Sequence, residues 1–186
     1  MLVKICGIRR LEDINYVNEL MPDYIGFVFV KESKRYIDYS KALLLKQSLN
    51  KNIKVVGVYL NQDIKYIKEA YDLGIIDLIQ LHGSEDDEYI KELKDICNIP
   101  IINVYRDSKY ATYLMYDSKT PGLGIKEDLD IKKGNKDIFI AGGINISNLD
   151  EIKKIRPYCV DVSSGVEVNG FKDYIKMRDF IRKVRE

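Results

Sequence analysis

Short apolar runs recur along the chain at nearly even intervals. They fall at Leu2–Cys6, Tyr24–Val30, Ile53–Leu60, Asp77–Leu81, Pro100–Tyr105, Tyr113–Tyr116, Ile138–Ala141 and Cys159–Val162. Each is too short for a buried helix and most are bounded by turn residues, so each is predicted to be a strand. Between them apolar residues return at helical spacing. Leu11, Ile14, Val17 and Leu20 recur at threes, while Ile64, Ile67, Ala70 and Tyr71 mix threes and fours. The same spacing marks Ala42–Leu49, Tyr89–Ile96, Ile146–Ile155 and Tyr174–Val184 as helices. Strand and helix alternate, and strands that are apolar throughout belong in a parallel sheet covered on both faces.

Two architectures satisfy that alternation: an open doubly wound sheet and a closed (β/α)₈ barrel. The first strand-to-helix turn carries no GxGxxG fingerprint, which counts against a dinucleotide-binding sheet. The strand count of eight favours the barrel. The expected fold is therefore α/β, a compact (β/α)₈ TIM barrel forming a single domain over residues 1–186. Its helical returns after strands five and six are expected to be shortened, since only Arg106–Ala111 separates those two strands. No linker, short repeat or low-complexity tract interrupts the scheme.

Composition narrows the function. Thirty Lys and Arg against 29 Asp and Glu argue against a nucleic-acid binder working through a basic face. No apolar run is long enough to span a bilayer, and the N-terminus reads directly as a strand rather than as a signal peptide. A cytoplasmic enzyme or binding protein is expected, with no nucleic-acid or membrane partner. Three widely spaced cysteines and one histidine make a Cys/His zinc site improbable. The 14 tyrosines read as compositional bias.

In a (β/α)₈ barrel the active site is built from the C-terminal strand ends and the loops after them. That rule gathers Cys6-Gly7, the Lys31–Tyr36 segment, Gln80-Leu81-His82-Gly83, Asp117-Ser118, Ala141-Gly142-Gly143 and Ser163-Ser164-Gly165 at one mouth. The last two turns sit where such barrels commonly hold a phosphate. Gly142 and Gly143 leave backbone N–H groups open to an oxyanion, and Ser163, Ser164 and Gly165 form a second small-residue turn. Each turn alone is equally well a plain tight turn; the pair at one mouth is what points to phosphate. Cys6 is either a buried apolar thiol or a base, and Lys4 lies on its side of the strand. Asp117 is by default a solvated carboxylate, and across a pocket from Cys6 it becomes a candidate acid. Arg35 is a surface charge or a clamp for a substrate carboxylate. His82 reads first as a hydrogen-bonded wall residue.

These residues, in this order, resemble the phosphoribosylanthranilate isomerase family of tryptophan biosynthesis. The resemblance runs end to end. Lys4-Ile5-Cys6-Gly7 is similar to its opening KICG block, and Gly26-Phe27-Val28-Phe29 with Ser33-Lys34-Arg35-Tyr36 to its second-strand signature. Val56–Tyr59, Gln80–Gly83, Ala141–Ile144 and Val160–Glu167 followed by Gly170, Lys172 and Asp173 continue the match. The resemblance implies an Amadori rearrangement of N-(5-phosphoribosyl)anthranilate, with neither metal nor organic cofactor. Asp117 would be the general acid and Cys6 the general base. Arg35 would hold the anthranilate carboxylate, Asp161 would lie near a sugar hydroxyl, His82 would line the substrate site, and the two turns would bind the phosphate. Its partner is a small phosphosugar, with the chain acting as a monomer or homodimer. One block departs from the family: Asp117–Leu129 lacks the expected GGTG-like turn and the aromatic that follows it, and Asn103 stands where a lysine is frequent. Two alternatives stay open: a related phosphosugar isomerase of the histidine pathway, which would want a carboxylate at the position of Cys6, and a phosphosugar-binding barrel impaired in catalysis.

Overall fold

A computed structural model of the chain describes residues 1–117 and 136–186. Eight parallel strands close into a barrel in sequence order. They are β1 (Leu2–Cys6), β2 (Tyr24–Val28), β3 (Lys54–Tyr59), β4 (Leu78–Leu81), β5 (Ile101–Val104), β6 (Tyr113–Asp117), β7 (Ile138–Ala141) and β8 (Cys159–Val162). Closure is made by β8 pairing with β1, with Lys4 beside Asp161 in the register. The helices are α1 (Leu11–Leu20), α2 (Tyr39–Gln47), α3 (Ile64–Asp72), α4 (Asp87–Ile96), α5 (Leu149–Ile155) and α6 (Tyr174–Arg185). All eight expected strands are present. β2, β3, β4 and β5 are one or two residues shorter than their apolar runs, and β6 runs one residue further, to Asp117.

Aspartates set several helix starts. Asp38, Asp63, Asp86 and Asp173 each accept a hydrogen bond from a backbone N–H in the first turn, of Lys41, Lys65, Tyr89 and Lys176 respectively. Helix α2 thereby begins at Tyr39, three residues before the first apolar position of the expected segment. Helix α5 begins at Leu149 rather than Ile146, because Asn145 and Asn148 are used to shape the preceding turn. Residues 105–112 join β5 to β6 without a helix, as the short Arg106–Ala111 spacing predicts. The return after β6, including the divergent block that follows Asp117, lies outside the described residues.

Strand side chains alternate between two apolar layers. Val3, Ile5, Ile25, Phe27, Val55, Ile79 and Val160 face outward and pack with Ile14, Ala42, Ile67, Ile90, Leu93 and Phe180 from the helices. Tyr24, Val56, Leu78, Ile102, Met115, Phe139 and Cys159 face inward and fill the barrel axis. Several tyrosines are structural rather than incidental. Tyr39 stacks on Tyr66 at 4.4 Å between ring centroids, and Phe29 stacks on Tyr59 at 5.3 Å. Among the described residues no helix is long and apolar enough to cross a membrane.

One element was not anticipated. After β8 a two-stranded antiparallel hairpin forms from β9 (Glu167–Val168) and β10 (Phe171–Lys172). Asn169 and Gly170 turn it with φ of 51° and 80°, the left-handed pair that a two-residue hairpin of matching twist requires. Asn-Gly is a dipeptide suited to such a turn. The strands around it are only two residues long and carry no periodicity to announce them.

Candidate active site

The barrel interior changes character along its axis. Toward the N-terminal strand ends the inward positions are apolar; toward the C-terminal ends they carry Lys4, Cys6, Gln80, His82, Asp117, Asp161 and Ser163. Polar groups cluster at the open end because there they meet solvent or ligand and need not be satisfied wholly by protein. A cavity of about 240 Å³ opens at this end. Cys6, Arg35, His82, Asp117, Gly142, Gly143, Asp161, Ser163 and Ser164 all line it, so nine of the sequence-derived candidates meet at one place. Val28, Val58 and Gln80 are also among its walls.

Gly165 is placed differently. It lies behind the turn, where an added Cβ would fall 2.0 Å from the Ile144 carbonyl oxygen and 3.0 Å from Asn145 Cα. Its bare Cα is what lets the loop after β8 lie against the loop after β7. Gly165→Ala must separate the two turns, and a displacement of this size is expected to lower kcat/KM by roughly 10- to 100-fold. Kinetics with inorganic phosphate as competitor check this: the inhibition constant of phosphate should rise together with KM. An unchanged phosphate affinity would mean that the two turns do not act as one anion site.

On the other side, Gly142 and Gly143 have φ of 91° and 59°, so the turn after β7 runs through the left-handed region that glycine enters without strain. The Asn145 and Asn148 amides donate to the Gly143 carbonyl at 3.2 and 3.0 Å. This fixes the peptide orientation and takes up the carbonyl, leaving the turn to present N–H groups.

Cys6 ends β1. Burial pushes its thiol above the ordinary value, and the nearby Lys4 amine pulls the other way without fully offsetting it. Lys4 is wholly buried and donates to Asp161 Oδ2 at 2.6 Å. Burial alone would lower the Lys4 amine, yet the charges of Asp161 and Cys6 hold it above the ordinary lysine range. Burial raises the Asp161 carboxyl, with Lys4 opposing. The other Asp161 oxygen, Oδ1, is buried and meets no hydrogen-bond donor among the described residues, as is Gln80 Oε1. Both residues line the cavity, so these acceptors are placed for donors on a ligand.

Across the mouth, Asp117 ends β6. His82 Nε2 lies 3.4 Å from Asp117 Oδ2, and the Tyr105 hydroxyl donates to the Asp117 carbonyl oxygen. Among the described residues no group of three or more His, Cys, Asp or Glu is arranged to hold a metal ion.

Arg35 reaches the cavity across the end of β1. An added Cβ on Gly7 would lie 2.3 Å from Arg35 Cδ, so that glycine leaves room for the arginine stem. The guanidinium is bound in bidentate fashion by Glu167, with Nε–Oε1 and Nη2–Oε2 distances of 2.7 Å. Lys172 also donates to Glu167 Oε1 at 2.7 Å and to the Ser163 carbonyl at 3.0 Å, and the Ser163 hydroxyl donates to the Cys6 carbonyl at 3.0 Å. The hairpin of β9 and β10 thus ties the arginine, the serine turn and the cysteine strand together. Sequence reasoning placed Glu167 and Lys172 in a motif without giving them this work, since a cross-strand contact cannot be read before the hairpin is known.

Burial alone would raise the Glu167 carboxyl; the hydrogen bonds from Arg35 and Lys172 outweigh it and push the value down to about 2. A depressed carboxylate stabilises the fold above its ordinary range near 4.5 and loses that contribution as pH falls toward 2. The contribution is about 2 kcal/mol once solvent screening at the mouth is allowed for. Urea unfolding between pH 6 and pH 3 should therefore show a steeper loss of stability in the unmodified protein than in Glu167→Gln. Parallel slopes would remove Glu167 from this role.

Comparison with known proteins agrees with this geometry. Residues 3–183 match the family model of N-(5'phosphoribosyl)anthranilate (PRA) isomerase. The chain is 42% identical over 204 residues to the N-(5'-phosphoribosyl)anthranilate isomerase of Caldanaerobacter subterraneus, covering 98% of this chain and 97% of that protein. It superposes with a TM-score of 0.86 on the crystal structure of phosphoribosyl anthranilate isomerase from Thermus thermophilus, at 30% identity and covering 100% and 98% of the two chains. The same score, identity and coverage relate it to a phosphoribosyl anthranilate isomerase crystallised with reduced 1-(o-carboxyphenylamino)-1-deoxyribulose 5-phosphate. With a barrel matched over its whole length and sequence identity of this order, the chain belongs to the N-(5'-phosphoribosyl)anthranilate isomerase family.

Proposed function

We propose that this cavity isomerises N-(5'-phosphoribosyl)anthranilate to 1-(2-carboxyphenylamino)-1-deoxyribulose 5-phosphate, with Asp117 as general acid and Cys6 as general base. The observation that carries the reading is the convergence of Cys6, Asp117 and the two small-residue turns on one cavity. The phosphate is held by the backbone N–H groups at Gly142-Gly143 and by the Ser163–Gly165 turn, to which Gly165 contributes by letting the turns approach.

With the phosphate anchored, the ribose extends toward the acid and the base. The anthranilate nitrogen pushes electrons into C1 as the bond from C1 to the ring oxygen breaks, and Asp117 gives its proton to that oxygen. The product is an open-chain iminium. The iminium acidifies the neighbouring C2–H, and the Cys6 thiolate takes that proton while the C–H electrons move to C1 and neutralise the nitrogen. The resulting enolamine gains a proton at C1 and loses the one on its C2 hydroxyl, leaving the ketose. Asp117 ends one proton short and Cys6 one proton over, and exchange with solvent restores both.

Asp161 Oδ1 and Gln80 Oε1 accept hydrogen bonds from sugar hydroxyls, which satisfies both buried acceptors. His82 is the wall beside Asp117. Arg35 faces the anthranilate carboxylate while Glu167 fixes the plane of its guanidinium. The protein is expected to work in the cytoplasm, as a monomer or homodimer. The test is the loss of substrate fluorescence after the protein is added to freshly made phosphoribosylanthranilate. Turnover well above the spontaneous decay is expected. Decay at the background rate would leave a phosphosugar-binding barrel in place of the isomerase.

A further inference from the structure

Lys4 has no part in the scheme above, and its placement is costly. A lysine with none of its surface exposed sits on the barrel axis, two residues before the cysteine and on the same face of β1. The strand beside it is hollowed to receive both side chains. On β2, an added Cβ at Gly26 would fall 2.7 Å from Cys6 Sγ and 3.2 Å from Lys4 Nζ. Sulfur and ammonium therefore meet over the one position of β2 that has no side chain. The Nζ of Lys4 donates to Asp161 at 2.6 Å, and its charge favours the thiolate beside it.

We propose that Lys4 is a positioning residue for the base: its ammonium favours the ionised form of the Cys6 sulfur and aims it into the cavity, while Asp161 holds the ammonium. This rests on the assignment of Cys6 as base. Lys4 on β1 and Lys172 on β10 favour the thiolate, Asp161 on β8 opposes it, and the Arg35 guanidinium, entering over Gly7, faces the same thiol. Lys172 is engaged by Glu167 and by both oxygens of Ser163, and Arg35 by Glu167. Lys4 is the cation that shares a hollow with the sulfur. An ion pair serving stability alone would need Asp161 near Lys4, and would not need glycine at position 26 to admit the thiol beside it.

The experiment reads the thiol directly. Iodoacetamide alkylation of Cys6 is followed against pH by mass spectrometry in the unmodified protein and in Lys4→Met; Cys97 and Cys159 are fully buried and serve as internal references. Loss of a neighbouring cation should raise the alkylation midpoint by about one pH unit or more, so that Cys6 reacts about tenfold more slowly at a fixed pH below it. The rising limb of the kcat/KM profile should move by the same amount. A folded Lys4→Met with an unshifted midpoint overturns the proposal. If Lys4→Met does not fold, because Asp161 is left buried without its cation, Lys4→Met/Asp161→Asn removes both charges and keeps the test. The amine lies nearer in effect than the carboxylate, so its midpoint should still stand above that of the unmodified protein, and a midpoint at or below that value overturns the proposal. The alkylation readout does not depend on turnover. A protein that never isomerises substrate yet shows the shift would sink the base assignment and leave the Lys4–Cys6 coupling standing.

Discussion

Cys6→Ser lowers kcat/KM by about 10⁴-fold, the upper end of what a positioned base contributes. Serine fits the hollow over Gly26, and the backbone there is not disturbed, so binding should survive. What is lost is acidity. A buried hydroxyl cannot reach the anionic form near neutral pH, whereas a thiol can when a cation stands beside it. The loss should fall on kcat with KM nearly unchanged, because the thiolate acts on the C2 proton and not on the phosphate. Steady-state fluorescence kinetics decide it. A loss confined to KM would mean that Cys6 only lines the site. In the unmodified protein burial keeps the thiol above its usual value, so activity should still be climbing through pH 8 and fall as pH drops.

Asp117→Asn should cost about 10³-fold in kcat/KM. The amide keeps the size of the side chain and a contact with His82, but it cannot give a proton to the ring oxygen. Ring opening then becomes the slow step, ahead of C2 proton removal. Substrate deuterated at C2 separates the two variants. The residual rate of Asp117→Asn should show almost no isotope effect, because its slow step breaks a C–O bond. The residual rate of Cys6→Ser should show a pronounced one. An unimpaired Asp117→Asn would place the acid elsewhere at the mouth, where His82 lies 3.4 Å from the Asp117 carboxylate.

Much of this site could be read from the chain because barrel topology converts strand ends into neighbours. Cys6, His82, Asp117, Gly142 and Ser163 are far apart in sequence, and each closes or follows an apolar run; the closed barrel brings them to one cavity. The reading was weaker where function depends on what lies beside a residue rather than after it. Lys4 was noted for its face of the strand, but its bond to Asp161 follows from β1 and β8 being neighbours at the seam of the barrel. Arg35 was read as a surface charge or a carboxylate clamp, and its guanidinium is held by Glu167 through a hairpin that apolar spacing did not reveal. Gly165 looked like part of the phosphate cradle; its contact with Ile144 gives it a packing duty that no linear pattern specifies.

The central claim is that one cavity anchors the phosphate at the two final turns while offering the sugar's C2 to Cys6 and its ring oxygen to Asp117. The measurement that tests it most directly is a crystal structure of this protein with a reduced, unreactive form of the product. The phosphate should lie on the backbone N–H groups of Gly142-Gly143 and the Ser163-Ser164 turn. The carbon corresponding to C2 should face Cys6 Sγ, and a sugar hydroxyl should donate to Asp161 Oδ1. A phosphate bound elsewhere with these turns empty, or a sugar whose C2 faces away from Cys6, would contradict the account.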